Sequence, residues 1–199
     1  SQVWEFKVQN IDYTCIEKNI LRTADEALSQ DMIAYVQKIA SEGNSVGGII
    51  ECHIKNPPAW LGEPVFGKVK SLLAGSMLSI GWVLGFEYGA WFNTVLHTGI
   101  TYNEWFQTQN GKIISSHNNY NGVLGWISTW EDIIFRVAVK PTASIYTKQQ
   151  TVDTDGNQVD FQIEGRHDPC ILPRVVPVIE AMAAIDMLDL VLLHQARKI

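Results

Sequence analysis

The residues best equipped for chemistry are Lys140, in the stretch KPTAS, and the run Arg166–His167–Asp168, in GRHDPC. A lysine followed by backbone amides can hold an anionic group, and a carboxylate such as Asp168 can handle a proton. Each has a plainer reading. Lys140 ends a strand-like run, where a lysine is usually solvated. His167 and Asp168 read equally well as a satisfied polar pair beside the last helix, and Thr142 and Ser144 can terminate the strand through local hydrogen bonds. Cys15, Cys52 and Cys170 are widely spaced and odd in number. They give neither a disulfide framework nor a metal motif, and Cys170 reads as a small buried hydrophobe.

A second feature is a conflict of residue sizes. Asn118–Ile133 reads NNYNGVLGWISTWEDI. Its glycines, asparagines and small residues suit a loop whose backbone must come close to something, yet Trp126 and Trp130 sit among them. Tryptophan is the residue least suited to such an approach. A tryptophan in a left-handed glycine position costs about 1–2 kcal/mol of backbone strain, recoverable only if its large surface meets a partner.

The surrounding elements follow from periodicity and punctuation. Val3–Val8 alternates like a strand. Thr23 followed by Glu26 is a capping-box pattern opening a helix to about Ser41, with Ala27, Met32, Ile33, Val36 and Ile39 on one face. Ser45–Ile54 is β-branched and apolar, a strand in which Gly47–Gly48 implies close backbone packing or a bulge. Pro57, Pro58 and Gly62 mark a loop. Pro64 suits the first turn of a helix carrying Val65, Phe66, Val69, Leu72, Leu73 and Met77. Trp82–Tyr88 and Ile133–Val139 read as strands. Asp153–Gly156 reads as a hairpin turn between Lys148–Val152 and Gln158–Ile163. After Pro173 and Pro177, Val178 to about Arg197 forms the last helix. No internal repeat is present, and the order predicts an α+β fold in one domain, residues 1–199.

The net charge of −6 argues against a nucleic-acid or acidic-membrane partner. The apolar run Val175–Leu193 carries Glu180, Asp186 and Asp189, which favours a buried helix over a membrane span. The opening SQVWEFKVQN has no apolar signal segment, so the expected location is the cytoplasm.

Gly165–Ala184, GRHDPCILPRVVPVIEAMAA, strongly resembles the C-terminal signature of chorismate synthase. NSVGGIIECHIKNPP, LGEPVFGKVKSLLAGSMLSI, GFEYG, NNYNGVLGWIST, RVAVKPTASI and TVDTDGNQVD resemble further family segments, in order, over nearly the whole chain. The resemblance implies the family's β-α-β sandwich. It also implies an FMN-dependent lyase that eliminates phosphate from 5-enolpyruvylshikimate 3-phosphate without net redox turnover. Carried over by position, the FMN contacts would be Gly81, Trp82, Gly125, Lys140, Pro141, Thr142, Ala143, Ser144 and Arg166, with Asp168 as the acid near the flavin. The family's early segment with a GESHG histidine has no counterpart among His53, His97, His117, His167 and His194, so the chain corresponds to the later part of the fold.

Against the family pattern, Trp60, Trp91, Trp126 and Trp130 stand where it has glycine, and Trp82 where it has a small residue. Ile100 and Glu104 stand for a serine and an aspartate. The expectation is therefore a truncated, redesigned and catalytically inactive scaffold with its FMN positions vacant. Its Trp60, Trp82, Trp91, Trp126 and Trp130 would form a face for a protein partner or a second copy of the chain. The alternative is the family's own enzyme.

Overall fold

The computed structural model describes residues 1–109 and 111–197. Four strands form the largest sheet, in the order β1 (Gln2–Val3), β2 (Gly48–Ile54), β8 (Ile133–Val139), β3 (Val83–Tyr88). Three two-stranded hairpins accompany it: β4 (Phe106–Gln109) with β5 (Lys112–Ser115), β6 (Val123–Leu124) with β7 (Ile127–Ser128), and β9 (Gln149–Val152) with β10 (Gln158–Phe161). The helices are α1 (Glu26–Ser41), α2 (Val69–Leu78), the single turn α3 (Gly99–Tyr102) and α4 (Leu172–Ala196). By contacts the chain divides into two compact units, residues 1–50 with 138–177 and residues 51–137 with 178–199.

In the first unit, β1 pairs antiparallel with the start of β2, Gln2 opposite Ile49 and Val3 opposite Gly48. The expected strand Val3–Val8 stops at Val3, because Trp4 turns the backbone into the left-handed region (φ 51°) and Phe6 N–H bonds back to Val3. The Gly47–Gly48 pair is a close approach, as expected. A Cβ on Gly48 would lie 2.0 Å from the Gln2 carbonyl oxygen, and one on Gly47 2.3 Å from that of Val139. Helix α1 is capped by Asp25, whose side chain accepts from Leu28 N–H, and not by Thr23. Thr23 is buried, and its hydroxyl donates to the Ser1 carbonyl. The DTDG turn forms as expected: Asp153 accepts from the amides of Asp155 and Asn157, and Gly156 supplies the positive φ of 84°.

In the second unit, α2 begins at Val69 and not at Pro64. Val65 and Phe66 are exposed, and Glu63 N–H closes a loop onto the Gly67 carbonyl before the helix starts. From the predicted apolar run, Val69, Leu73 and Met77 are buried at the i, i+4, i+8 spacing of one face. Strand β8 buries Ile133, Phe135 and Val137, and Phe135 stacks on Phe86 of β3 at 5.4 Å. Ser76 of α2 donates to Asp186 of α4 at 2.7 Å. Burial still pushes the Asp186 carboxyl above its ordinary range.

Helix α4 starts six residues earlier than expected, at Leu172, and runs through Pro177. A proline removes one amide donor, but Val175, Val176, Ile179, Ala183, Met187 and Leu190 continue one buried stripe across it. The tertiary burial outweighs the local break. No helix among the described residues is long and apolar enough to cross a membrane. The three cysteines are free and buried.

Candidate functional site

In the first unit, strand β8 delivers Lys140–Ser144 to the stretch that precedes α4. Thr142 Oγ1 donates to the Asp168 carbonyl at 2.8 Å, and Ser45 Oγ donates to the Thr142 carbonyl at 2.6 Å. Val46 N–H reaches the Pro169 carbonyl at 2.8 Å. The loop Lys140–Ser144 is thus tied to both neighbouring segments by the hydroxyls of Thr142 and Ser45, of which a sequence reading takes Thr142 for a local strand terminator. Lys140, Pro141, Ala143 and Arg166 are exposed. The Asp168 carboxylate pairs with Arg174, in the first turn of α4, at 3.0 Å.

His167 and Asp168 are not the satisfied pair the sequence allowed. The His167 ring lies edge-on to Tyr146, 5.1 Å between centroids, and its Nε2 is buried with no hydrogen-bond partner. Buried polar atoms are rarely left so.

In the second unit, Gly81 and Trp82 form the turn into β3, with open space around Gly81 and Trp82 44% exposed. Gly125 and Trp126 are the two loop residues of the β6–β7 hairpin, in which Leu124 faces Ile127. Trp60 lies beside that hairpin: its amide donates to the Ser128 carbonyl at 2.8 Å, and Ser128 N–H returns to the Leu61 carbonyl. The Trp126 carbonyl accepts from Val69 N–H, and Lys68 Nζ sits 4.8 Å from the Trp126 ring centroid. Trp130 packs against Phe106 at 6.1 Å, and Trp91 lies under Arg136. Trp60 and Trp126 are therefore brought onto adjoining segments, while Trp91 and Trp130 meet other side chains.

The close approach implied by NNYNGVLG is internal. A Cβ on Gly122 would lie 2.4 Å from the Glu131 carbonyl oxygen. Asn118 accepts from Gly122 N–H and donates to the Asp132 carbonyl, and Asn121 donates to the Ile134 carbonyl at 2.7 Å. The asparagines replace backbone partners along the start of β8.

Arg136, Glu87 and Glu51 of this unit were not singled out by sequence, while Glu104 was noted only as standing for a family aspartate. Arg136 pairs with Glu87 at 2.7 Å. Glu51 and His53 Nε2 lie 2.7 Å apart, and that hydrogen bond holds the Glu51 carboxyl below its ordinary range. Burial raises the Glu104 carboxyl although it accepts from Tyr120 N–H. Arg136 and Glu87 lie on the neighbouring strands β8 and β3, and such cross-strand partners are far apart in sequence. Among the described residues no cluster of His, Cys, Asp and Glu has the makings of a metal site.

The architecture is a mixed α/β fold with small open sheets: a solved structure described as chorismate synthase superposes with a TM-score of 0.73, covering 91% of this chain and 48% of that one at 24% identity. The profile of chorismate synthases matches residues 2–192, and the chain belongs to that family. Among curated chorismate synthases, one from Azobacteroides pseudotrichonymphae is 43% identical over 180 residues, 90% of this chain and 51% of the relative. One from Christiangramia forsetii is 43% identical over 189 residues, 95% of this chain and 52% of the relative. The chain spans about half the length of the curated relatives it matches.

Proposed function

We propose that this chain supplies flavin- and phosphate-binding residues for a chorismate-synthase reaction, the elimination of phosphate from 5-enolpyruvylshikimate 3-phosphate. The observation that carries the reading is the bond from Thr142 to the Asp168 carbonyl, which joins the segments bearing the exposed cations Lys140 and Arg166. Lys140 and Arg166 are exposed cations suited to an anionic phosphate. Thr142 holds the backbone at Asp168, and Arg174 orients the Asp168 carboxylate. Reduced FMN, where bound, would supply electron density to the allylic centre that loses phosphate. Titration of the purified chain with FMN, followed by flavin absorbance, is expected to saturate. The double change Lys140→Ala and Arg166→Ala should weaken binding about tenfold or more. No saturation would defeat the proposal, as would equal affinity in the double variant.

A second reading makes the tryptophans a docking face for a protein partner or another copy. Its support is the exposure of Trp60 (66%) and Trp126 (50%) on adjoining segments. In that case, changing Trp126→Gly together with Trp130→Gly would abolish association in light scattering. An unchanged monomeric mass before and after would remove this reading.

A further inference from the structure

Among the described residues, seven non-glycine positions have a positive φ, and four of them are tryptophans: Trp4 (51°), Trp60 (71°), Trp91 (56°) and Trp126 (81°). The other three are Arg22, Asn56 and Asn121, and asparagine is the ordinary non-glycine occupant of this region. Only a few per cent of non-glycine residues adopt it, and for a bulky one it is an outlier. Yet four of the chain's seven tryptophans do so.

Packing gives an independent sign that these side chains do not belong to their sites. Trp4, Trp60 and Trp126 are 56%, 66% and 50% exposed, so none recovers its strain by deep burial. Trp91 is crowded to 3.2 Å from the Arg136 guanidinium carbon, and its Nε1 is buried without a partner. A tryptophan N–H in the interior normally finds an acceptor. Trp126 holds the second loop position of a two-residue hairpin whose two residues both have positive φ, a place that strongly prefers glycine.

Independent mutation of four glycines would leave a mixture of residues, with asparagine, aspartate and small side chains foremost. Selection for an aromatic surface would use backbone that tolerates tryptophan. Neither gives one residue type, repeatedly, at left-handed positions in both compact units. A single cause at the codon level does. TGA is a stop codon in the standard genetic code, is read as tryptophan in some variant codes and as glycine in others. We infer that positions 4, 60, 91 and 126 are TGA codons that the cell of origin reads as glycine. The working protein then carries glycine at all four. Each left-handed turn is relaxed, the buried Nε1 of position 91 is gone, and exposed aromatic rings at positions 4, 60 and 126 are absent.

Two measurements decide it, and neither depends on flavin binding. Sequencing the gene should show TGA at the four positions, and TGG, the ordinary tryptophan codon, at them would overturn the inference. Mass spectrometry of the protein from its own cells should then find the tryptic peptides Asn56–Lys68 and Ile113–Arg136 at masses that require glycine at positions 60 and 126. Fragment ions placing tryptophan at either position would overturn it even where the codons are TGA.

Discussion

Gly125 and Trp126 share the loop of one two-residue hairpin, and both have positive φ, 56° and 81°. Only the first of the pair is a residue that adopts that conformation without strain. The same backbone demand therefore yields opposite expectations at neighbouring positions.

Trp126→Gly should stabilise the chain. It removes about 1–2 kcal/mol of left-handed strain and gives up one exposed cation–π contact with Lys68, worth about 0.5–1 kcal/mol. The expected net gain is about 1 kcal/mol, a rise in melting temperature of about 2–4 °C. A thermal melt reads it, and a fall in melting temperature would contradict the strain argument.

Gly125→Ala should destabilise by about 1 kcal/mol. Nothing lies within 4 Å of the position a Cβ would take, so the change reports φ alone and not a clash. Chemical denaturation should show a lower midpoint with an unchanged slope.

Gly48→Ala fails for a different reason. Its Cβ would sit 2.0 Å from the Gln2 carbonyl oxygen and 2.7 Å from Leu172 Cδ1. The strand pairing of β1 must open, at a cost of about 3 kcal/mol or more. Amide exchange at Gln2, Val3 and Ile49 should speed up far beyond that in Gly125→Ala.

Glu51 should give the chain a pH-dependent margin. Its carboxyl, lowered from 4.5 chiefly by the hydrogen bond with His53, contributes stability that is complete above that value. The contribution is lost as pH falls through the lowered folded-state value. Glu51→Gln should therefore lower stability at neutral pH and flatten its decline below about pH 4.5. Denaturation midpoints taken across that range would test this, and parallel curves for the two proteins would count against it.

Thr142→Val removes the hydroxyl donor to the Asp168 carbonyl, a bond worth about 0.5–1.5 kcal/mol. Faster amide exchange confined to the stretch around His167–Cys170 is expected, with α2 unaffected. Uniform exchange throughout would show that the bond does not position that segment.

The sequence alone determined the strand Ile133–Val139 to the residue, the hairpin around Asp153–Gly156 and the close packing at Gly47–Gly48. Those features depend on local chemistry: β-branched runs, a turn-forming aspartate, a missing Cβ. Its motifs were also enough to indicate the family. Helix ends were decided elsewhere. Phe66 fits a helical repeat yet stays outside α2, and Pro177 looks like a terminus yet lies inside α4. At Pro177 long-range burial outweighs local preference, whereas before α2 the loop closed from Glu63 N–H to the Gly67 carbonyl leaves Phe66 exposed. The tryptophans at family glycine positions already suggested left-handed backbone, but which of them adopt it, Trp60, Trp91 and Trp126 and not Trp130, with Trp4 added, is set by the segments each turn must join. Likewise no spacing rule pairs Thr142 with Asp168 or leaves His167 Nε2 without a partner. Hydrogen bonds between distant segments exist only once the chain has folded, so the tertiary structure alone could place them.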